Sequence, residues 1–134
     1  MNRLKGTVTA ISHSGELSLV DVACEGTSLS AFVLEAPEQA PFIRIGNDVW
    51  ILFKETEVSI AKDFSGELSL RNRFESRITK IRTGELLTEL TLDFNGTSIV
   101  SIISRRSSDR MGLKVGDQVT GLVKANEITL MEAG

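Results

Sequence analysis

Leu90-Thr91-Leu92-Asp93-Phe94-Asn95-Gly96-Thr97-Ser98-Ile99-Val100-Ser101-Ile102-Ile103 forms two β-rich segments around one turn signal. The first alternates apolar and polar residues, the second is rich in β-branched residues, and Asn95-Gly96 breaks the chain between them. Seventy residues earlier the chain says nearly the same thing. Asn2-Arg3 falls on Asn72-Arg73, Thr9 on Thr79, Ile11 on Ile81 and Leu17 on Leu87. Gly26-Thr27-Ser28 falls on Gly96-Thr97-Ser98, Gly46 on Gly116, Val49 on Val119, Leu52 on Leu122, Lys54 on Lys124 and Glu57 on Glu127. Apolar character survives where identity is lost, as at Val20/Leu90, Val22/Leu92 and Val58/Ile128. A constant offset without gaps marks a tandem duplication. What both copies keep belongs to the fold. What one copy keeps is a candidate for function.

Each copy predicts about five short strands: residues 3–12, 17–24, 28–34, 48–54 and 57–61, with counterparts 70 residues later. Turn signals separate them at Ser14-Gly15, Glu25-Gly26, Ile45-Gly46-Asn47, Thr83-Gly84 and Val115-Gly116-Asp117. Between the third and fourth strands, Ser107 can cap a single helical turn that Gly112 ends. The first copy has Pro37-Glu38-Gln39-Ala40-Pro41 there, with Pro37 suited to a first turn. Five short strands with a helical turn after the third give an OB-like barrel. The expected fold is therefore all-β: two tandem OB-like five-stranded barrels, spanning 1–64 and 65–134. The linker Asp63-Phe64-Ser65-Gly66-Glu67-Leu68 is short, so the copies are expected to lie side by side.

Charge divides unevenly. Residues 1–64 carry a net of −4 and residues 65–134 a net of +1. The second copy is the better host for an anion. The whole chain is a poor host for a nucleic-acid backbone, which calls for a basic face and exposed aromatics; there is no Tyr and one Trp. No segment approaches the roughly 18 continuous apolar residues of a membrane helix, and Met1–Gly6 lacks a signal-peptide core. Cys24 is the only cysteine. It alternates with Val20 and Val22 as a small core residue, and the chain is expected to be cytoplasmic. His13, the only histidine, sits beside the Ser14-Gly15 turn and supports no catalytic set. No His/Cys cluster suits a metal cation, and the acidic residues are not spaced as a calcium loop. An enzyme is not expected.

Ser69-Leu70-Arg71-Asn72 opens the second copy. Ile102-Ile103-Ser104-Arg105-Arg106-Ser107, Met111-Gly112-Leu113-Lys114-Val115-Gly116 and Leu122-Val123-Lys124-Ala125 follow. In that order and spacing the chain resembles the Mop, or TOBE-type, domain, and its two copies resemble the tandem-domain molbindins. The match covers residues 69–131 well and 2–62 weakly. The resemblance implies a trimer of tandem pairs that holds molybdate or tungstate between barrels. It carries the oxyanion site onto Ser69, Arg71, Ser104 (where the family usually has Thr), Ser107, Lys124 and Ala125. A tetrahedral dianion offers only acceptors. Serine hydroxyls donate to it, Arg71 and Lys124 add charge-assisted donors, and backbone N–H groups near Ser107 would point at it. Ala125 would contribute backbone alone.

Plainer roles stand beside each residue. Ser69 and Ser107 suit turns or caps, Ser104 a solvated strand end and Arg71 a surface charge. Lys124, matched by Lys54, suits a structural duty in both copies. Arg105, Arg106 and Arg110 form a solvated basic face or steer an anion. The first copy departs from the pattern. Leu34 replaces Ser104, Pro37 replaces Ser107, Met1 stands opposite Arg71, and Glu55 follows Lys54 where Ala125 follows Lys124. It is therefore expected to support assembly, with at most a minor contribution from Lys54. The function expected is non-catalytic binding and storage of the oxyanion. The alternative is an oxyanion-sensing module that regulates a partner protein.

Overall fold

The computed structural model describes residues 1–133. The strands are β1 (Asn2–Ser14), β2 (Leu17–Cys24), β3 (Thr27–Val33), β4 (Asp48–Phe53), β5 (Ser59–Ala61), β6 (Asn72–Thr83), β7 (Leu87–Phe94), β8 (Thr97–Ser104), β9 (Gln118–Val123) and β10 (Thr129–Glu132). One helix, α1 (Arg105–Met111), follows β8. Single 3-10 turns occupy Pro37–Gln39, Glu55–Glu57 and Ala125–Glu127. The expected strands are all present, and the fold is two five-stranded antiparallel sheets with a helical turn after the third strand of each copy.

The sheets do not follow the 1–64 and 65–134 division. Their orders are β10-β4-β1-β2-β3 and β5-β9-β6-β7-β8. The last strand of each copy completes the sheet of the other. Leu130 pairs with Ile51, and Ile60 with Gly121. The compact units are accordingly Met1–Phe53 with Lys124–Gly134, hereafter unit 1, and Lys54–Val123, unit 2. The duplication is the physical reason. At an offset of 70, β5 and β10 are equivalent strands, each anchored by a buried apolar residue just before it. These anchors are Val58 and Ile128. Equivalent strands can exchange places between ladders, as in a swapped oligomer.

Each core comes from the inward-facing half of the alternation. Unit 1 buries Leu4, Val8, Val20, Val22, Leu29, Ile51 and Phe53, together with Cys24. Unit 2 buries Phe74, Ile78, Leu90, Leu92, Phe94 and Ile99. There the Phe74 and Phe94 rings meet edge to face with centroids 5.1 Å apart. Both long first strands carry a bulge at the same place, between Val8 and Ala10 and between Ile78 and Lys80. The bulge bends the strand so that its first half pairs with one neighbour and its second half with another.

Candidate functional site

β8 ends at Ser104 in extended backbone, and α1 begins. Ser104, not Ser107, is the N-cap. Its Oγ accepts from the Ser107 N–H at 3.1 Å and donates to Ser107 Oγ at 2.9 Å. The sequence pattern favoured Ser107 because it opens a Ser-Ser-Asp run. The helix starts at Arg105, directly after the strand that was expected to end at Ser104, and a cap serves the N–H three residues on. The consequence is chemical. The Ser107 N–H, expected to face an anion, is already used. The Ser104 proton is also used, whereas the Ser107 hydroxyl keeps a proton to donate outward. Gly112 ends the helix in left-handed conformation, φ 61°, as expected.

Ser108 was not singled out from the sequence. It is buried, shares a 2.7 Å hydrogen bond with Thr88 Oγ1 and donates to the Arg105 carbonyl at 3.0 Å. It pins α1 to β7. In the first copy Ser18 makes the matching anchor to the Glu35 carbonyl at 2.7 Å. The signal was a hydroxyl at 18 and at 88 inside apolar strands. The arginine cluster divides. Arg105 is committed to the Gly84 carbonyl at 3.2 Å and to Asp109 at 3.5 Å. Arg106 and Arg110 are exposed. A cleft of ≈ 460 Å³ lies here, lined by Glu85, Leu86, Ser104, Arg105, Arg106 and Asp109.

Lys54 and Lys124 each open a 3-10 turn closed by reciprocal hydrogen bonds. Glu57 Oε1 accepts the Lys54 N–H at 2.8 Å, and the Glu57 N–H returns to the Lys54 carbonyl at 3.0 Å. The corresponding distances at Lys124 and Glu127 are 3.2 and 2.9 Å. This gives Glu57 and Glu127 a structural duty shared by both copies, whereas each lysine contributes only its backbone to these bonds. The strand exchange decides where the turns lie. The 55–57 turn packs on β8, and the 125–127 turn packs on β3. Lys124 and Ala125 therefore belong to unit 1. Ser69, Arg71, Ser104, Ser107 and Lys54 belong to unit 2. The structure thus divides a motif that the sequence reads as one run. Beside the 125–127 turn, unit 1 offers a groove of ≈ 550 Å³ whose lining includes Phe32, Leu34, Phe42, Ile43, Asn126 and Leu130. Leu34, where unit 2 has Ser104, is 83% exposed, so this groove has lost the hydroxyl donor.

Ser69 and Arg71 are exposed in the segment that leads into β6. Arg73 holds that segment through the Leu70 and Leu68 carbonyls, at 3.3 and 3.4 Å. Arg71 directly precedes Asn72 and Lys124 directly follows Val123, the pair that closes the β6–β9 ladder. At the other end of β9, Asp117 accepts from the Lys114 N–H at 2.9 Å and from Lys62 Nζ at 3.0 Å. These bonds, the backbone one first, hold its carboxyl below the usual carboxylate range. Burial pushes the Cys24 thiol up to about 11, so it stays protonated and inert. Trp50 carries the Arg3 guanidinium 3.7 Å from its ring centroid. Among the described residues no group of three or more His, Cys, Asp or Glu could hold a metal ion, and no helix is long and apolar enough to cross a membrane. The candidate residues supply hydroxyl, ammonium, guanidinium and amide donors, the equipment for binding an anion and releasing it.

Residues 68–130 match the TOBE domain. The chain is 33% identical over 123 residues to the molybdenum import ATP-binding protein ModC of Brucella abortus, covering 91% of this chain and 32% of that protein. It is 31% identical over 132 residues to the molybdenum-pterin-binding protein MopA of Rhodobacter capsulatus, covering 96% and 50%. The chain thus spans a third to a half of the length of these curated relatives. The crystal structure of the cytoplasmic molybdate-binding protein ModG, with molybdate bound, superposes with a TM-score of 0.92 at 31% identity, over 98% of this chain and 96% of that one.

Proposed function

We propose that this chain, which belongs to the TOBE-domain family of Mop-type proteins, binds molybdate or tungstate without catalysis and buffers or stores the anion in the cytoplasm. The observation that carries this reading is agreement with the molybdate-binding protein ModG over nearly the whole of both chains. The donor chemistry supports it. The Ser107 hydroxyl retains a proton, Arg106 and Arg110 are exposed, and unit 2 has the less negative charge. No step needs a base or a nucleophile.

The site residues are Ser69, Arg71, Ser104 and Ser107 of unit 2, and Lys124 and Ala125 of unit 1, with Lys54 at the turn on β8. The assembly proposed is a homotrimer, in which another copy of the chain completes each set. Native mass spectrometry with molybdate, and sulfate as control, tests both points. A trimer that takes up molybdate and leaves sulfate supports the reading. A protein that binds neither anion removes it. The second reading is an oxyanion-sensing module that acts on a partner, favoured because relatives such as ModC carry this region within longer proteins. A pull-down that recovers a partner only with molybdate would favour sensing over storage.

A further inference from the structure

Ser101 is a polar side chain with no exposure at all, in the middle of β8. Its Oγ donates to the Val58 carbonyl at 2.8 Å. Val58 follows the 55–57 turn directly and is itself buried. A hydrogen bond inside the core of unit 2 therefore ties the turn that starts at Lys54 to the strand that ends at Ser104. Among the described residues, unit 1 lacks this tie. The residue equivalent to Ser101 is Ala31, also buried, and the 125–127 turn packs on β3 without a side-chain hydroxyl at that place. The same architecture closes over alanine, so the fold does not require the hydroxyl. A buried hydroxyl loses its water and recovers little net stability from one hydrogen bond. What the bond supplies is a fixed register between two elements, the usual use of a satisfied buried polar group.

The Glu57 carboxylate adds a second clamp on the same turn. It holds the Lys54 N–H at 2.8 Å, against 3.2 Å for Glu127 and Lys124. Of the two lysine turns, the one on the serine-bearing strand is held at more points. The sequence assigned Lys54 at most a minor share because Glu55 follows it and the first copy has lost its hydroxyls. The strand exchange removes the second ground, since Lys54 lies in the unit that has kept them, while Glu55 still follows it.

We infer that Ser101 is a positioning residue for oxyanion binding: it fixes the Lys54 turn against β8, so that Lys54 serves as the ammonium donor of unit 2. This rests on the functional reading above. The test is a molybdate titration of the full chain as wild type, Ser101→Ala, Lys54→Ala and the double variant, with thermal melts alongside. Each single variant should weaken molybdate about tenfold at 25 °C, and the double should be no weaker than Lys54→Ala, because Ser101 acts only through Lys54. A fall in Tm with unchanged affinity would make Ser101 merely structural and overturn the inference. Independent, additive losses would overturn it too. If Ser101→Ala does not fold, Ser101→Cys keeps the volume and weakens the donor. Amide exchange at Glu55–Val58 separates this inference from the functional reading. Faster exchange there in Ser101→Ala, with 125–128 unchanged, supports the clamp whether or not molybdate binds. Unchanged exchange refutes it even if the wild type binds.

Discussion

Ser104 has two jobs that a single pair of substitutions separates. Its Oγ caps α1 by accepting the Ser107 N–H at 3.1 Å, and it serves the proposed oxyanion set by donating its own proton to Ser107 Oγ at 2.9 Å, which leaves the Ser107 proton to face the anion. Ser104→Ala removes both roles. Loss of an N-cap acceptor costs about 1 kcal/mol, which for a unit the size of Lys54–Val123 lowers Tm by about 4–8 °C. Ser104→Asp keeps an oxygen where the Ser107 N–H needs one, and aspartate is as good an N-cap as serine, so stability should stay near wild type. It also places a carboxylate beside the anion. At about 5 Å in water, a unit charge repels a dianion by about 1.7 kcal/mol, more than a tenfold loss of affinity. The assay is a thermal melt without ligand and a molybdate titration by calorimetry. The expected result is Ser104→Ala less stable and weaker, and Ser104→Asp stable and weakest. Wild-type affinity in a stable Ser104→Asp protein would remove Ser104 from the site. Equal destabilisation of the two variants would refute its capping role.

Other consequences are testable. Ile60→Pro, in the strand paired with Gly121, should speed amide exchange in β9 and leave β4 protected; a response in β4 instead would refute the exchanged strands. Gly6→Ala should cost about 1–3 kcal/mol, because its Cβ would sit 2.6 Å from Val22 Cγ1 and 2.7 Å from the Ala23 carbonyl; an unchanged urea midpoint would contradict that geometry. Asp117 is held below its ordinary value in the folded state, so its contribution is complete above about pH 3.9 and lost as pH falls through the lower folded value. Asp117→Asn should accordingly lower stability at pH 6 and flatten the acid limb of the stability curve, read from urea midpoints between pH 6 and 2.5.

The architecture was legible wherever a local signal sets it. Asn95-Gly96 and Glu25-Gly26 turn the chain, and Asn95 and Glu25 both take positive φ there. Gly112 ends the helix, and the alternation of Leu90, Leu92 and Phe94 names the core face. The pairing of the fifth strands was not legible, for a physical reason. β5 (Ser59–Ala61) and β10 (Thr129–Glu132) are short, lie at equivalent positions of the repeat and each follow a buried apolar anchor, so the local sequence does not say which sheet either joins. A duplicated sequence is degenerate in this respect.

The same degeneracy separated the motif from the site. Leu122-Val123-Lys124-Ala125 is one continuous run, yet the chain passes from unit 2 to unit 1 inside it, between Val123 and Lys124. The first copy makes the reciprocal passage between Phe53 and Lys54. Each lysine turn therefore packs on the strand of the copy that did not encode it: Lys54 on the strand ending in Ser104, and Lys124 on the strand beside Leu34. Comparison of the copies along the sequence weighs Glu55 against Ala125 and judges the first copy spent. Comparison of the units in space reaches a different balance. Unit 2 joins intact hydroxyls to a turn burdened by Glu55, and unit 1 joins an unburdened turn to an apolar groove. Each unit combines parts of both copies: unit 2 takes β5 from the first, and unit 1 takes β10 from the second. The polar tie from Ser101 to Val58 crosses between the two encoded copies, and at the equivalent place unit 1 has Ala31.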